Sequence, residues 1–184
     1  MAPRKTISLV IPAYKEASNV LPLYEELAPV IKLLSASYEC EILFVDDGSP
    51  DGTWDEISSL SARDRKVSGI SLSRNFGKEL AITAGLKYAK GDAVITLDAD
   101  GQHPVEKIPD FVEKWREGYD IVYNRRPEIQ GASAFKRLTS KLFYALFNSI
   151  SEFRLEPGTT DYRLLDRSVV DAYLRFNEKN RMYR

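Results

Sequence analysis

Five times before residue 124, a short apolar run rich in β-branched residues is followed by a stretch suited to a helix or a turn. The runs predict strands over Thr6–Ile11, Glu41–Val45, Lys66–Leu72, Asp92–Leu97 and Tyr119–Tyr123. The stretches between them predict helices from about Val20 to Leu34, Trp54 to Arg63, Lys78 to Ala89 and Val105 to Glu117. The runs are apolar almost throughout, the pattern of strands buried on both faces. Strands that alternate with helices join through right-handed crossovers, which place the helices on both faces of a mostly parallel sheet. The expected architecture is a three-layer, Rossmann-like α/β sandwich.

Local signals refine this frame. Pro12 is expected to stop the first strand, and Ser18 or Asn19 to cap the first helix. Pro22 fits that helix's first turn, whereas Pro29 predicts a kink or break. Pro104 suits a new helix start, and Gly118 its end. Trp54 and Trp115 are expected in the core. After Tyr123 the rhythm changes. A polar loop, Asn124–Ser133, precedes an amphipathic helix over Ala134–Ile150, then a short strand at Tyr162–Leu165 and a helix from about Arg167 to Phe176. The Ala134–Ile150 helix fits a basic surface lying on a membrane, and equally a packed core helix.

The strand tips carry the chemistry. Strand one delivers Pro12-Ala13-Tyr14-Lys15-Glu16, strand two Asp46-Asp47-Gly48-Ser49, and strand four Asp98-Ala99-Asp100-Gly101-Gln102-His103-Pro104. In a parallel sheet these tips share the edge at which ligands bind. Acidic tips meeting there repel one another unless a cation or a ligand rich in donors relieves them. Two carboxylates with the Gln102 amide make a hard, oxygen-only donor set, which suits Mg²⁺ or Mn²⁺ and not Zn²⁺. His103 reads as a metal ligand or as a loop residue before Pro104.

No G-x-x-x-x-G-K-[ST] loop is present, and no G-x-G-x-x-G follows the first strand. Phosphate charge would therefore fall to a metal, to Lys78 at a helix start, and to Arg125 and Arg126. That combination points to a nucleoside diphosphate held through a metal ion. The charge distribution agrees with a metal-holding part followed by an anion-facing part: residues 1–124 hold 14 Lys and Arg against 20 Asp and Glu, residues 125–184 hold 12 against 7. The net charge of −1 gives no reason to expect nucleic acid. Cys40 is the sole cysteine, so no disulfide framework exists. The apolar run at the N-terminus is shorter than a signal-peptide core, and no stretch approaches the ~18–20 apolar residues that span a bilayer.

IPAYKEASNV, VDDGSPDGT, LSRNFGKELAITAGL and LDADGQHP, in that order and spacing, resemble the family 2 glycosyltransferases of GT-A fold. Within them the chain is most similar to the branch that transfers a sugar to a polyprenyl phosphate, typified by dolichol-phosphate mannose synthase. TTDYRLLDR, Thr159–Arg167, looks like that branch's late motif. The resemblance runs from about Ile7 to Arg167.

The resemblance implies one catalytic domain, with a nucleotide-sugar and metal half over about 1–124 and an acceptor half over about 125–184. Pro12, Ala13, Tyr14 and Glu16 would line the nucleotide pocket, with Asp46 and Asp47 near base and ribose and Lys78 close by. Asp98 and Ala99 would lie at the ribose. Asp98, Asp100 and Gln102 would hold Mg²⁺ or Mn²⁺ on the diphosphate. Arg125 would meet the diphosphate or the acceptor phosphate, and Arg126, Lys136 and Arg137 the acceptor phosphate. Two positions depart from the family pattern: Lys15 stands where Asn is usual and is expected to face solvent, and Gly101 stands where relatives often have Leu.

The implied activity is an inverting, metal-dependent transfer at the cytoplasmic face of a membrane, from a UDP-sugar first and GDP-mannose second. A lipid phosphate is already ionised near neutral pH and needs orientation more than deprotonation. A sugar hydroxyl would need a base, for which Asp161 is the candidate. A non-catalytic nucleotide-sugar binding module remains a third reading. Members often continue into membrane-spanning helices, so these 184 residues are expected to be either a protein that works without them or the catalytic part of a longer one.

Overall fold

The computed structural model describes residues 3–125 and 159–175. Two compact units divide the chain: Met1–Tyr123 with Asp161–Tyr183, and Asn124–Thr160 with Arg184. Of the second, only residues 124, 125, 159 and 160 are described. The predicted helix Ala134–Ile150, and with it Arg126, Lys136 and Arg137, lies outside the described residues.

In chain order the elements are β1 (Thr6–Ala13), α1 (Ala17–Leu34), β2 (Glu39–Asp46), α2 (Thr53–Arg63), β3 (Val67–Ser71), α3 (Lys78–Tyr88), β4 (Ala93–Thr96), a 3₁₀ turn (Val105–Lys107), α4 (Ile108–Arg116), β5 (Ile121–Arg125), β6 (Thr159–Asp166) and α5 (Arg167–Arg175). The sheet order is β3-β2-β1-β4-β6-β5. β1 pairs in parallel with β2 and β4, and β2 with β3. β6 is antiparallel to β4, with Thr96 opposite Arg163.

Side-chain alternation along each strand builds the two outer layers. Ile7, Leu9 and Ile11 of β1 join Phe44 and Ile95 under Leu27 of α1, Ile57 of α2 and Phe111 of α4. Val10, Leu43 and Val94 point the other way, toward Ala81, Ile82 and Leu86 of α3 and Val170 of α5. α1 buries Val20, Leu23, Leu27, Ile31 and Leu34, a stripe at three- and four-residue spacing.

Several local expectations are corrected. β1 runs on through Pro12 to Ala13. Val10 O accepts the Leu97 N–H on the β4 side and Ala13 O accepts the Asp47 N–H on the β2 side. Alternation puts the Pro12 nitrogen on the β4 side, where pairing has already ended at Val10 and Thr96. Its missing N–H therefore costs no ladder bond. α1 continues unbroken through Pro29 and begins after Glu16, without a side-chain cap from Ser18 or Asn19. Pro104 precedes a 3₁₀ turn, and Pro109 takes the first turn of α4 instead. Trp115 is buried, its Nε1 donating to Asp166 Oδ2 at 2.8 Å. Trp54 is 37% exposed and is not a core residue. Among the described residues, no helix is long and apolar enough to cross a membrane.

Candidate active site

The tips of β1, β2 and β4 meet the start of α3 around a cleft of about 320 Å³. Of the residues expected to hold a nucleotide, Pro12, Ala13, Tyr14 and Glu16 line it from the β1 side, Asp47 from β2 and Lys78 from α3. Asp98, Ala99 and Asp100 line it from the β4 tip. Lys15 is exposed, in left-handed backbone at φ +61°.

The two carboxylates at the tip of β2, Asp46 and Asp47, serve the local fold. Asp46 is buried and does not line the cleft; its Oδ1 accepts the Ser49 N–H at 3.1 Å and its Oδ2 the Ser71 hydroxyl at 3.4 Å. Asp47 accepts the N–H groups of Phe76 and Gly77, both at 2.8 Å, and so ties the loop before α3 to the β2 tip. Gly48 makes that approach possible. A Cβ there would stand 2.4 Å from the Arg74 carbonyl carbon, and its φ of +65° disfavours side chains.

Lys78, the first residue of α3, bridges two carboxylates. Its Nζ is 2.6 Å from Asp98 Oδ1 and 2.7 Å from Asp161 Oδ2. Asp161 reaches this point because β6 is laid against β4, with Thr96 Oγ1 donating to its carbonyl. Asp161 is buried, and Arg163 approaches its Oδ1 at 3.9 Å. On the other side of Asp98, His103 Nε2 lies 3.2 Å from Oδ2.

These contacts set the charges. Burial alone would raise Asp98, but hydrogen bonds with His103 and Lys78 outweigh it and hold the carboxyl below its usual range. Burial likewise works against the charge on Lys78, and the bonds to Asp161 and Asp98 outweigh it, holding the ammonium above the ordinary lysine range.

The donor set fits a hard divalent cation. Asp98 and Asp100 both border the cleft, and both offer oxygen. Asp100 is exposed, with one oxygen taken by the Gln102 N–H at 3.0 Å. Gln102 is exposed and does not line the cleft. Among the described residues no group of three or more His, Cys, Asp or Glu side chains surrounds one point. One or two carboxylates completed by substrate phosphates and water is the usual arrangement for Mg²⁺.

Three features escaped the sequence reading. Asn75 and Gly77 line the cleft through the loop that Asp47 clamps. Lys78 and Asp161 pair across the sheet edge, a contact that required knowing where β6 inserts. His103 is buried, although it occupies a loop of charged and small residues. The ring it stacks on, Tyr162, belongs to β6, so the residues around His103 carried no signal of the contact.

Residues 8–176 match the profile of the family described as Glycosyl transferase family 2. An uncharacterized glycosyltransferase of Synechocystis sp. is 44% identical over 175 residues, 95% of this chain and 54% of that protein. A bactoprenol glucosyl transferase of Shigella phage SfV is 41% identical over 174 residues, 95% of this chain and 56% of that protein. The chain thus spans about half the length of the curated relatives it matches. Among solved structures, mannosyl-3-phosphoglycerate synthase from Rubrobacter xylanophilus superposes with a TM-score of 0.65 at 24% identity, covering 90% of this chain and 54% of that one. Glucosyl-3-phosphoglycerate synthase from Mycobacterium tuberculosis, crystallised with Mn²⁺, UDP and glucosyl-3-phosphoglycerate, gives 0.61 at 21% identity, covering 90% and 58%. The shared fold is GT-A.

Proposed function

The chain belongs to glycosyl transferase family 2, and from that premise we propose that it carries out a metal-dependent, inverting transfer of a sugar from a nucleoside diphosphate to a polyprenyl phosphate. The observation that carries this reading is the cleft itself, where Asp98, Asp100 and Lys78 converge at the C-terminal edge of the parallel strands. Bactoprenol glucosyl transferases among the relatives support the lipid acceptor. UDP in one structural neighbour and GDP-mannose with Mn²⁺ in another support the donor class and the cation. A UDP-sugar is the first choice and GDP-mannose the second.

In this reading Pro12, Ala13, Tyr14, Glu16 and Asp47 form the wall against which base and ribose settle, with Asp46 buttressing it from behind. Asp98 and Asp100 would hold Mg²⁺ or Mn²⁺; Gln102, exposed and outside the cleft lining, would have to turn inward to join them. Once bound, the cation stabilises negative charge on the departing diphosphate. Lys78 brings a fixed positive charge to the same wall. From their place in the sequence, Arg125 is assigned to the diphosphate or the acceptor phosphate, and Arg126, Lys136 and Arg137 to the acceptor phosphate. A lipid acceptor would be met at a membrane surface, and the cytoplasmic face is the one the family resemblance leads us to propose.

The engagement of Asp161 favours a phosphate acceptor over a hydroxyl. A general base must present a free oxygen to the proton it removes. Asp161 is buried and bound to Lys78 at 2.7 Å, with its other oxygen facing Arg163. Taking up a proton would remove the charge that pairs with Lys78, whereas an ionised phosphate needs no base.

Incubation with labelled UDP-glucose or GDP-mannose, Mn²⁺ and a polyprenyl phosphate tests the reading. Label should appear in the lipid fraction. Transfer to a sugar hydroxyl alone would reject the lipid acceptor, and nucleotide binding with no transfer to either would select the binding-module reading.

A further inference from the structure

The His103 ring lies inside the fold, only 6% exposed. It stacks on Tyr162 with centroids 4.9 Å apart and planes 26° from parallel. Tyr162 is itself fully buried, packs on Phe111 at 4.8 Å, and donates its hydroxyl to Pro104 O at 2.9 Å. The imidazole is therefore clamped between β6 and the loop that carries it. From there Nε2 reaches Asp98 Oδ2 at 3.2 Å. A carboxylate can only accept, so Nε2 carries the proton in this contact.

The two oxygens of Asp98 are thus divided. Oδ2 is held from the core side by His103, while Oδ1 is the oxygen that meets a cation, here the Lys78 ammonium at 2.6 Å. An aspartate free to rotate would lose side-chain entropy each time it engaged a ligand. One already fixed does not.

Resting on the metal-dependent reading above, we propose that His103 is a positioning residue, which locks the Asp98 carboxylate so that Oδ1 is presented to the cation in the cleft. It acts through Asp98 and touches neither donor nor acceptor. Groups that hold a ligating carboxylate in this way typically contribute ~10–100-fold to metal affinity.

The test crosses two substitutions. His103→Phe keeps an aromatic ring to stack on Tyr162 and removes the N–H donor. His103→Gln removes the ring and keeps a donor near the position of Nε2. Mn²⁺ binding in the presence of UDP, and separately of GDP, is read from the electron paramagnetic resonance signal of the free ion, with thermal melting of each variant in parallel. The expected result is weakening by about tenfold or more in His103→Phe, with His103→Gln retaining most of the affinity despite a lower melting temperature. Wild-type affinity in His103→Phe would overturn the inference, as would equal losses in both variants, which would follow the fold and not the donor. If the wild-type protein binds no Mn²⁺ with either nucleotide, the metal-dependent reading itself falls and takes this inference with it.

Discussion

Lys78 and Asp161 meet at 2.7 Å, one opening α3 and the other lying in β6. The carboxylate side chain is 3% exposed and the lysine 38%. Removing the partially exposed member takes the nearer cation from the buried one and leaves the more distant Arg163, 3.9 Å away. Lys78→Met should therefore cost about 1–3 kcal/mol in urea unfolding at neutral pH, the range for a buried acceptor left short of a partner. Lys78→Arg should recover part of that loss.

Acid should weaken the same cluster through Asp98. Burial pushes this carboxyl up, but the bonds from His103 and Lys78 prevail and leave it depressed. A depressed carboxyl stabilises the fold above its unfolded value of about 4 and loses that contribution as pH falls through its folded value. Asp98→Asn should consequently lose less melting temperature than wild type on acidification below about pH 4. Lys78 is raised, so its own contribution persists through neutral pH and disappears only as pH rises through a value above about 10.4.

Metal dependence should reside in Asp100 more visibly than in any residue the fold needs. Asp100 is exposed, and the hydrogen bond it accepts comes from the neighbouring Gln102 N–H. Asp100→Ala should leave the melting temperature within a few degrees of wild type. By calorimetry it should abolish the gain in UDP or GDP affinity that Mn²⁺ confers, a loss of at least about tenfold, or ~1.4 kcal/mol. A Mn²⁺ effect of undiminished size in the variant would remove Asp100 from the metal site.

The loop before α3 should be sensitive to Gly48. A methyl group there collides with the Arg74 backbone, and no flexible side chain is available to give way. Gly48→Ala should destabilise by about 1–3 kcal/mol, as overpacking does. It should also weaken nucleotide binding, because Asn75 and Gly77 follow in the same loop and line the cleft. Denaturation and calorimetry on one preparation would separate the two effects.

Much of the fold was legible in the sequence because strands buried on both faces leave a strong signal. β1, β2 and β4 are apolar for most of their length, and their tips are marked by Pro12, Asp46 and Asp98. What stayed hidden depends on placement across the sheet. Tyr162–Leu165 read as a strand, but nothing in a short apolar run says that it enters antiparallel between β4 and β5. Without that, Asp161 appeared as an isolated base candidate and its pairing with Lys78 was invisible. His103 escaped for a related reason, since the ring it stacks on belongs to β6. Pro12 misled because a proline ends a strand only when its nitrogen faces a neighbour, and here the neighbour has stopped at Thr96.

The late arrival of β6 has a consequence for how the molecule comes into being. β4 and β5 both lie before residue 126, yet the strand that separates them in the sheet begins only at Thr159. Until it inserts, β4 offers an open edge of unpaired backbone groups, the kind of template on which chains aggregate. Closing that gap requires bringing together segments far apart in the chain, a step expected to be slow. The strand that completes the sheet is also the one that delivers Asp161 to Lys78 and Tyr162 to His103. Docking of β6 therefore adds a strand to the sheet and brings both contacts with it, and an intermediate lacking β6 has neither the Lys78–Asp161 pair nor the ring that holds His103.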